Sequence, residues 1–221
     1  ALAMAALLGN AVMARGTRSL AAPPAAAPAR GEGFRARDFA FGLLGYLMFG
    51  LGYIGYMTFI VTLLREQGVG GAVIVAFYVL LGAGVIASSW LWAPLLQRDR
   101  GGQPLAVLDA LLAVATLLPV ASAHPVAVFA SGALFGAVFL SVVASTTVLV
   151  RHNLPPAAWP AGIAAFTIVF AGGQIVGPVL VGWVADGPGG LVRGLALSAG
   201  VLALGALLAS RQRALPNAPA H

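Results

Sequence analysis

Between Asp38 and Arg211 lie six apolar stretches, each long enough to cross a bilayer and together holding a single carboxylate, Asp109. They run at about 39 to 63, 71 to 96, 104 to 122, 125 to 149, 158 to 184 and 190 to 209. Crossing roughly 30 Å of hydrocarbon at about 1.5 Å per residue takes close to 20 residues. Inside lipid the backbone must satisfy its own hydrogen bonds, so each stretch is predicted to be a helix. Composition agrees: 60% of the residues are hydrophobic and 8% are charged, against about 25% charged in a soluble domain. The fold class expected is an all-α polytopic membrane protein with six transmembrane helices.

The gaps between the stretches are short and rich in Gly, Pro and polar residues: "REQGVGG", "QRDRGGQ", "SAHP", "RHNLPPAAWP" and "DGPGG". These are helix-end and turn signals, so consecutive helices are expected to run antiparallel. Arginine then orients the bundle, because short loops keep their positive charges on the cytoplasmic side. Arg15, Arg18, Arg30, Arg35, Arg37, Arg98, Arg100, Arg151, Arg211 and Arg213 fall on one side, and only Arg65 and Arg193 on the other. The linker and the C-terminus are expected in the cytoplasm, as an even number of crossings requires. Arginine without lysine, with many Ala and Gly, suggests a GC-rich bacterial genome and hence the inner membrane.

The net charge of +6 is not a nucleic-acid signature, because the arginines sit in short gaps and no basic helix interleaves them with aromatics. The absence of cysteine removes disulfides, Cys-ligated zinc and thiol catalysis. His124, His152 and His221 lie in opposite loops and the tail, with no metal-ligand spacing. No cofactor and no metal are implied.

Outside the six spans the chain reads differently. Residues 1–14, "ALAMAALLGNAVMA", would rise only about 21 Å as a helix and read as the end of a truncated transmembrane helix. A signal-peptide core would follow an initiator Met and a positive region, and neither is present. Residues 15–38 are rich in Ala, Pro and Arg and read as a flexible cytoplasmic linker. Residues 39–210 form the transmembrane domain, and residues 211–221 a cytoplasmic tail.

The spans contain an internal repeat. At an offset of 89, "AFYVLLGAGVIASSWLWAPLLQ" from Ala76 overlays "AFTIVFAGGQIVGPVLVGWVAD" from Ala165, matching Gly84 with Gly173, Ile86 with Ile175 and Leu91 with Leu180. The second and fifth helices run in opposite senses, so the repeating unit is three helices in inverted topology, as in secondary transporters. The second copy holds Gly173, Gly177, Pro178 and Gly182. In lipid, small residues let helices approach closely, and a proline without an amide donor weakens or kinks its helix. This stretch is therefore expected to be a packing seam that can bend.

The run Gly173-x-x-x-Gly177-Pro178-x-x-Val181-Gly182 resembles the GxxxGPxxGG pattern of the major facilitator superfamily, with Val181 in place of a glycine. In "QRDRGGQP", Asp99, Arg100 and Gly102 resemble the loop signature of the same superfamily. "GYLMFGLGYIGYMTFIVTLLREQG" from Gly45 and "RHNLPPAAWPAGIAAFTIVFAGGQIVGPVLVGWVAD" from Arg151 are similar to its YbfB/YjiJ-type bacterial branch. The resemblance implies the C-terminal six-helix half of a twelve-helix transporter that works by rocking two halves around a central cavity. It implies as partners the lipid bilayer, a small-molecule solute and a missing N-terminal six-helix half.

Several side chains are candidates for contact with a solute. Tyr46, Tyr53 and Tyr56 are spaced seven and three apart on one helical face, on a helix that the resemblance implies lines the cavity. Ser141 and Ser145, with Thr146 beside them, are a turn apart on the fourth span, and Thr167 and Gln174 lie seven apart on the fifth. Hydroxyls also bond their own helix's carbonyls, whereas a Gln amide in hydrocarbon needs a partner. Asp109, about five residues past a loop, is expected to be an ion pair or cap reaching water, Arg100 or a helix N-terminus, with a proton relay as the alternative. Any other proton carrier is expected in the missing half. Two other readings stand beside transport. A truncated, non-transporting membrane fragment or scaffold would use the same helices; a membrane-embedded enzyme would need clustered catalytic groups, and the spans supply Asp109 alone.

Overall fold

The structure, a computed structural model, describes residues 33–216. The truncated helix expected at residues 1–14, most of the linker and the last five tail residues lie outside them. A 3-10 turn, Ala36–Phe39, leads into α1, Ala40–Glu66; α2, Gly71–Leu91, and the short α3, Ala93–Arg98, follow. Then come α4, Gln103–Ala121; α5, Pro125–Asn153; a second 3-10 turn, Pro156–Ala158; α6, Trp159–Ala185; and α7, Gly190–Ala209. Among the described residues there is no strand, and six helical segments are long and apolar enough to span a membrane.

The helix ends follow from local chemistry. α1 closes on Gly68 at φ +78, with Gly68 N bonded to Arg65 O and Val69 N to Leu64 O. That pair of bonds satisfies two terminal carbonyls and needs the left-handed conformation that glycine adopts at little cost. Pro104 and Pro125 stand in the first turns of α4 and α5, where their missing amide would have had no helical partner.

The second span is not one helix. It breaks at Trp92 between α2 and α3, because Pro94 cannot donate to the preceding turn. Trp92 Nε1 instead donates to Ala137 O on α5 at 2.7 Å. Pro178 has no such effect: α6 continues unbroken from Trp159 to Ala185. The interruption thus sits in the first repeat rather than in the glycine-proline stretch of the second, where a bend was expected.

Packing obeys an inverted symmetry. α1 packs on α7 as α5 packs on α4, α2 packs on α5 as α6 packs on α1, and α4 and α7 pack on each other. The crossings themselves correspond. A Cβ on Gly84 would lie 2.7 Å from Ala137 N and 3.1 Å from Gly136 C, and one on Gly173 would lie 2.8 Å from Leu47 O and 3.0 Å from Gly50 C. The glycines matched by the offset of 89 therefore mark two equivalent backbone-to-backbone crossings. Gly177 belongs to the second, with a Cβ 2.6 Å from Leu51 O. Gly182 does not, since its Cβ would meet only Phe59 at 3.8 Å; one further turn carries α6 away from α1.

Both flanks of the domain dock onto it. Phe39 is buried and stacks on Phe34 at 5.4 Å, so the last residues of the linker are anchored by two aromatic rings. At the other terminus Gln212 is buried: its Oε1 accepts from Gly42 N at 3.0 Å and its Nε2 donates to Asp38 O at 3.0 Å. Gly102 N donates to Gln212 O at 2.9 Å, and Leu215 N to Asn153 Oδ1 at 2.7 Å. One end of the bundle is thus clamped by the segment after α7.

Candidate functional site

The most developed side-chain constellation in the spans lies where α1, α5 and α6 meet. Tyr53 on α1 is packed among Phe49 at 4.8 Å, Phe139 of α5 at 5.2 Å and Phe170 of α6 at 5.5 Å between ring centroids. Tyr46 stacks on Phe170 at 5.1 Å. Such rings contribute dispersion and quadrupole attraction with little flexibility. The Gln174 amide donates to the Tyr53 hydroxyl, so these two polar groups of the aromatic cluster pair across the Gly50–Gly173 crossing. Phe139, Phe170 and Gln174 are half-buried, which brings the cluster to the surface of the bundle. None of these residues is charged.

Proline explains part of the local arrangement. Pro178 removes the amide that would bond the Gln174 carbonyl four residues back. The residue whose backbone loses a partner is also the one whose side chain crosses to α1.

The other sequence candidates are placed elsewhere. Tyr56 is fully buried, stacked on Phe135 at 4.3 Å, with its hydroxyl 2.6 Å from Ser131 Oγ, which itself donates to Ala115 O at 2.7 Å. Three residues past Tyr53, the helix has turned this tyrosine toward α4 and α5, so its hydroxyl ties helices together instead of joining the row expected with Tyr46 and Tyr53. Ser141 Oγ donates to Ser88 O at 3.0 Å and shares a hydrogen bond with Ser88 Oγ at 2.7 Å, pinning α2 to α5. Ser145 bonds Val142 O, Thr146 bonds Val143 O and Thr167 bonds Ile163 O, each within its own helix.

Asp109 departs from the expectation of an ion pair or cap. It is 0% exposed, and neither carboxyl oxygen has a partner among the described residues. Its Oδ2 lies 3.1 Å from where a Cβ of Gly205 would stand, a position also 3.1 Å from Gly45 O. The physical reason is packing: Asp109 faces the close approach of α1 and α7 at Gly45 and Gly205 instead of the loop arginines. The offset of 89 maps Asp109 onto Ser198 and Thr116 onto Gly205, and Ser198 and Thr116 are likewise buried without partners. A proton relay remains the alternative for an intramembrane carboxyl, with Asp109→Asn as its test: unchanged transport by that variant of the intact protein ends it.

The loop signature acts mainly through backbone. Asp99 Oδ1 accepts from Gly101 N at 2.7 Å, Asp99 O meets His152 Nδ1 at 3.2 Å, and Arg100 O accepts from Asn153 Nδ2 at 2.7 Å. Gly102 lies against Ala209 and Gln212, with a Cβ position 2.6 Å from Gln212 Cβ. Sequence reasoning missed Phe139 and Phe170, which look like ordinary packing residues in an apolar helix. It also missed Asn153 and Gln212, whose only signal was an amide side chain close to a helix end.

Six spans in two inverted repeats, with an uncharged aromatic and amide cluster at the crossing of three of them, define a multi-pass membrane protein of the transporter type. Residues 1–210 match the family model described as uncharacterised MFS-type transporter YbfB, and the chain belongs to that family of major facilitator superfamily transporters, which is not an enzyme family. No curated protein and no solved structure matches the chain.

Proposed function

We propose that these six helices are the C-terminal half of a secondary transporter that moves a small solute by alternating access. The surface around Tyr53 and Gln174 is its solute-facing wall. The observation that carries this reading is the Gln174–Tyr53 bond, a polar pair that joins two helices at a glycine crossing within an aromatic, uncharged surface. A site of this kind recognises shape and one or two hydrogen bonds rather than charge. Rigid crossings at Gly84 and Gly173 support movement of the six helices as one body against a second half.

The test is uptake from a defined mixture of small neutral solutes by proteoliposomes of the intact protein, followed by mass spectrometry. Gln174→Leu and Tyr53→Phe are expected to lower uptake of the transported solute by about tenfold, the worth of a hydrogen bond to a buried polar group. Tyr56→Phe, which touches only helix packing, is expected to leave the apparent KM unchanged while lowering thermal stability. Equal uptake by all four proteins would remove Tyr53 and Gln174 from the solute wall.

The arginine-rich end is assigned to the cytoplasm of a bacterial inner membrane, on the charge bias of its loops. These 221 residues hold no cysteine, so single cysteines placed in them, in an intact protein with any other cysteine replaced, give a direct check. Ala123→Cys is expected to react with a membrane-impermeant maleimide added to spheroplasts, and Ala214→Cys only after lysis. The reverse pattern would invert the assignment.

A further inference from the structure

The docked tail creates a cleft whose lining is separate from the Tyr53–Gln174 cluster. Between the start of α1 and the segment after α7 lies a cleft of about 620 Å³, with Arg37, Asp38 and Phe41 on one side and Arg211, Arg213 and Leu215 on the other. We propose that this cleft binds the headgroup of an anionic phospholipid.

Charge is the first argument. Arg37, Arg211 and Arg213 are exposed, and among the described residues their only ion pair is Arg37 with Asp38 at 3.6 Å. Among the described lining residues, three guanidinium groups against one carboxylate leave an excess of two positive charges, and guanidinium binds phosphate oxygens in a bidentate fork. The second argument is construction. Gln212, 6% exposed, bridges the two walls through Gly42 N and Asp38 O. Arginines 174 residues apart in sequence, Arg37 and Arg211, are therefore held in one cleft before any ligand arrives. The third is position. The cleft opens where α1 begins and α7 ends, the level at which lipid headgroups lie against a spanning bundle. Its lining also carries apolar surface, with Phe41 45% exposed on α1 and Ala40 and Leu215 partly exposed. A free anion would use the arginines alone, whereas a phospholipid would also cover this flank. The inference is independent of which side of the membrane the arginine-rich end occupies.

Native mass spectrometry of the intact protein, titrated with phosphatidylglycerol or with phosphatidylcholine of the same acyl chains, tests it. Phosphatidylglycerol adducts should be retained preferentially. The pair Arg211→Gln with Arg213→Gln should weaken retention, by roughly fivefold per arginine removed, while Arg211→Lys with Arg213→Lys should retain most of it. Arg65→Gln with Arg193→Gln, at the opposite end, should change nothing. Melting in lipid-free detergent should be the same for all variants, because the substituted side chains are exposed. Equal retention of the two lipids, equal losses from the two ends, or displacement of phosphatidylglycerol by inorganic phosphate at the same concentration would each overturn the proposal.

Discussion

Gly173→Val is expected to abolish the folded bundle, whereas Gly182→Val, nine residues further along the same helix, is expected to be tolerated. A Cβ at Gly173 would stand 2.8 Å from Leu47 O and 2.9 Å from Leu51 N. These are backbone atoms of α1, tied into its helical hydrogen bonds, and they cannot rotate away as a side chain would. Overpacking costs about 1–3 kcal/mol where side chains can adjust, so a backbone clash across a whole helix crossing falls at or above the top of that range. Gly182 meets only Phe59 at 3.8 Å, and Gly172 meets nothing within 4 Å. The inverted symmetry adds a stricter requirement: Gly84→Val should fail as Gly173→Val does, because its Cβ would lie 2.7 Å from Ala137 N. Fluorescence-detected size exclusion after a temperature ramp measures all three. A Gly173→Val protein that elutes and melts like its parent would show that the crossing is not close-packed.

Gln212→Leu is the second large effect. The substitution keeps the volume but leaves Gly42 N without its acceptor and removes the donor to Asp38 O and Arg213 O. Leaving a buried donor unsatisfied costs about 1–3 kcal/mol, and Gly42 N belongs to the first turn of α1, where amides have no helical partner. The expected result is a lower melting temperature, with faster amide exchange confined to residues 38–42, 99–102 and 212–215. Asn153→Leu should produce a related pattern, since Asn153 accepts from Leu215 N and donates to Arg100 O and Leu149 O. Exchange protection unchanged at Gly42 in Gln212→Leu would mean that the tail does not clamp this end.

These two residues mark where the sequence was legible and where it was not. Gly173 could be read directly: a glycine in an apolar run that recurs at an offset of 89 has few uses other than close approach, and the structure puts both copies at equivalent crossings. Gly182 shared the motif but not the role. Small residues record permission to approach, and whether a neighbour takes it up depends on the crossing angle. Tyr46 and Tyr53 fell together, but Tyr56, three residues on, turned inward to Ser131, because a helical face is broad enough to straddle two neighbours. Asp109 was read as a near-surface group from its distance along α4. Distance along a helix gives depth only for a side chain that faces outward, and Asp109 faces the α1–α7 approach at Gly45 and Gly205.

The residues alone were enough for the solvent, the number and approximate ends of the spans, their alternation and their inverted repeat. Those properties follow from the length of apolar runs, the cost of exposing backbone to lipid, and the residues that stop helices, all of which act locally. Which polar groups meet was set by the tertiary structure: Gln174 with Tyr53, Tyr56 with Ser131, Gln212 with Gly42, and Asp109 with no partner among the described residues. Each pairing depends on helix rotation and on contacts between residues up to 174 positions apart. In six helices with apolar residues nearly all round, hydrophobic periodicity cannot set that rotation, and close packing at a few glycines does.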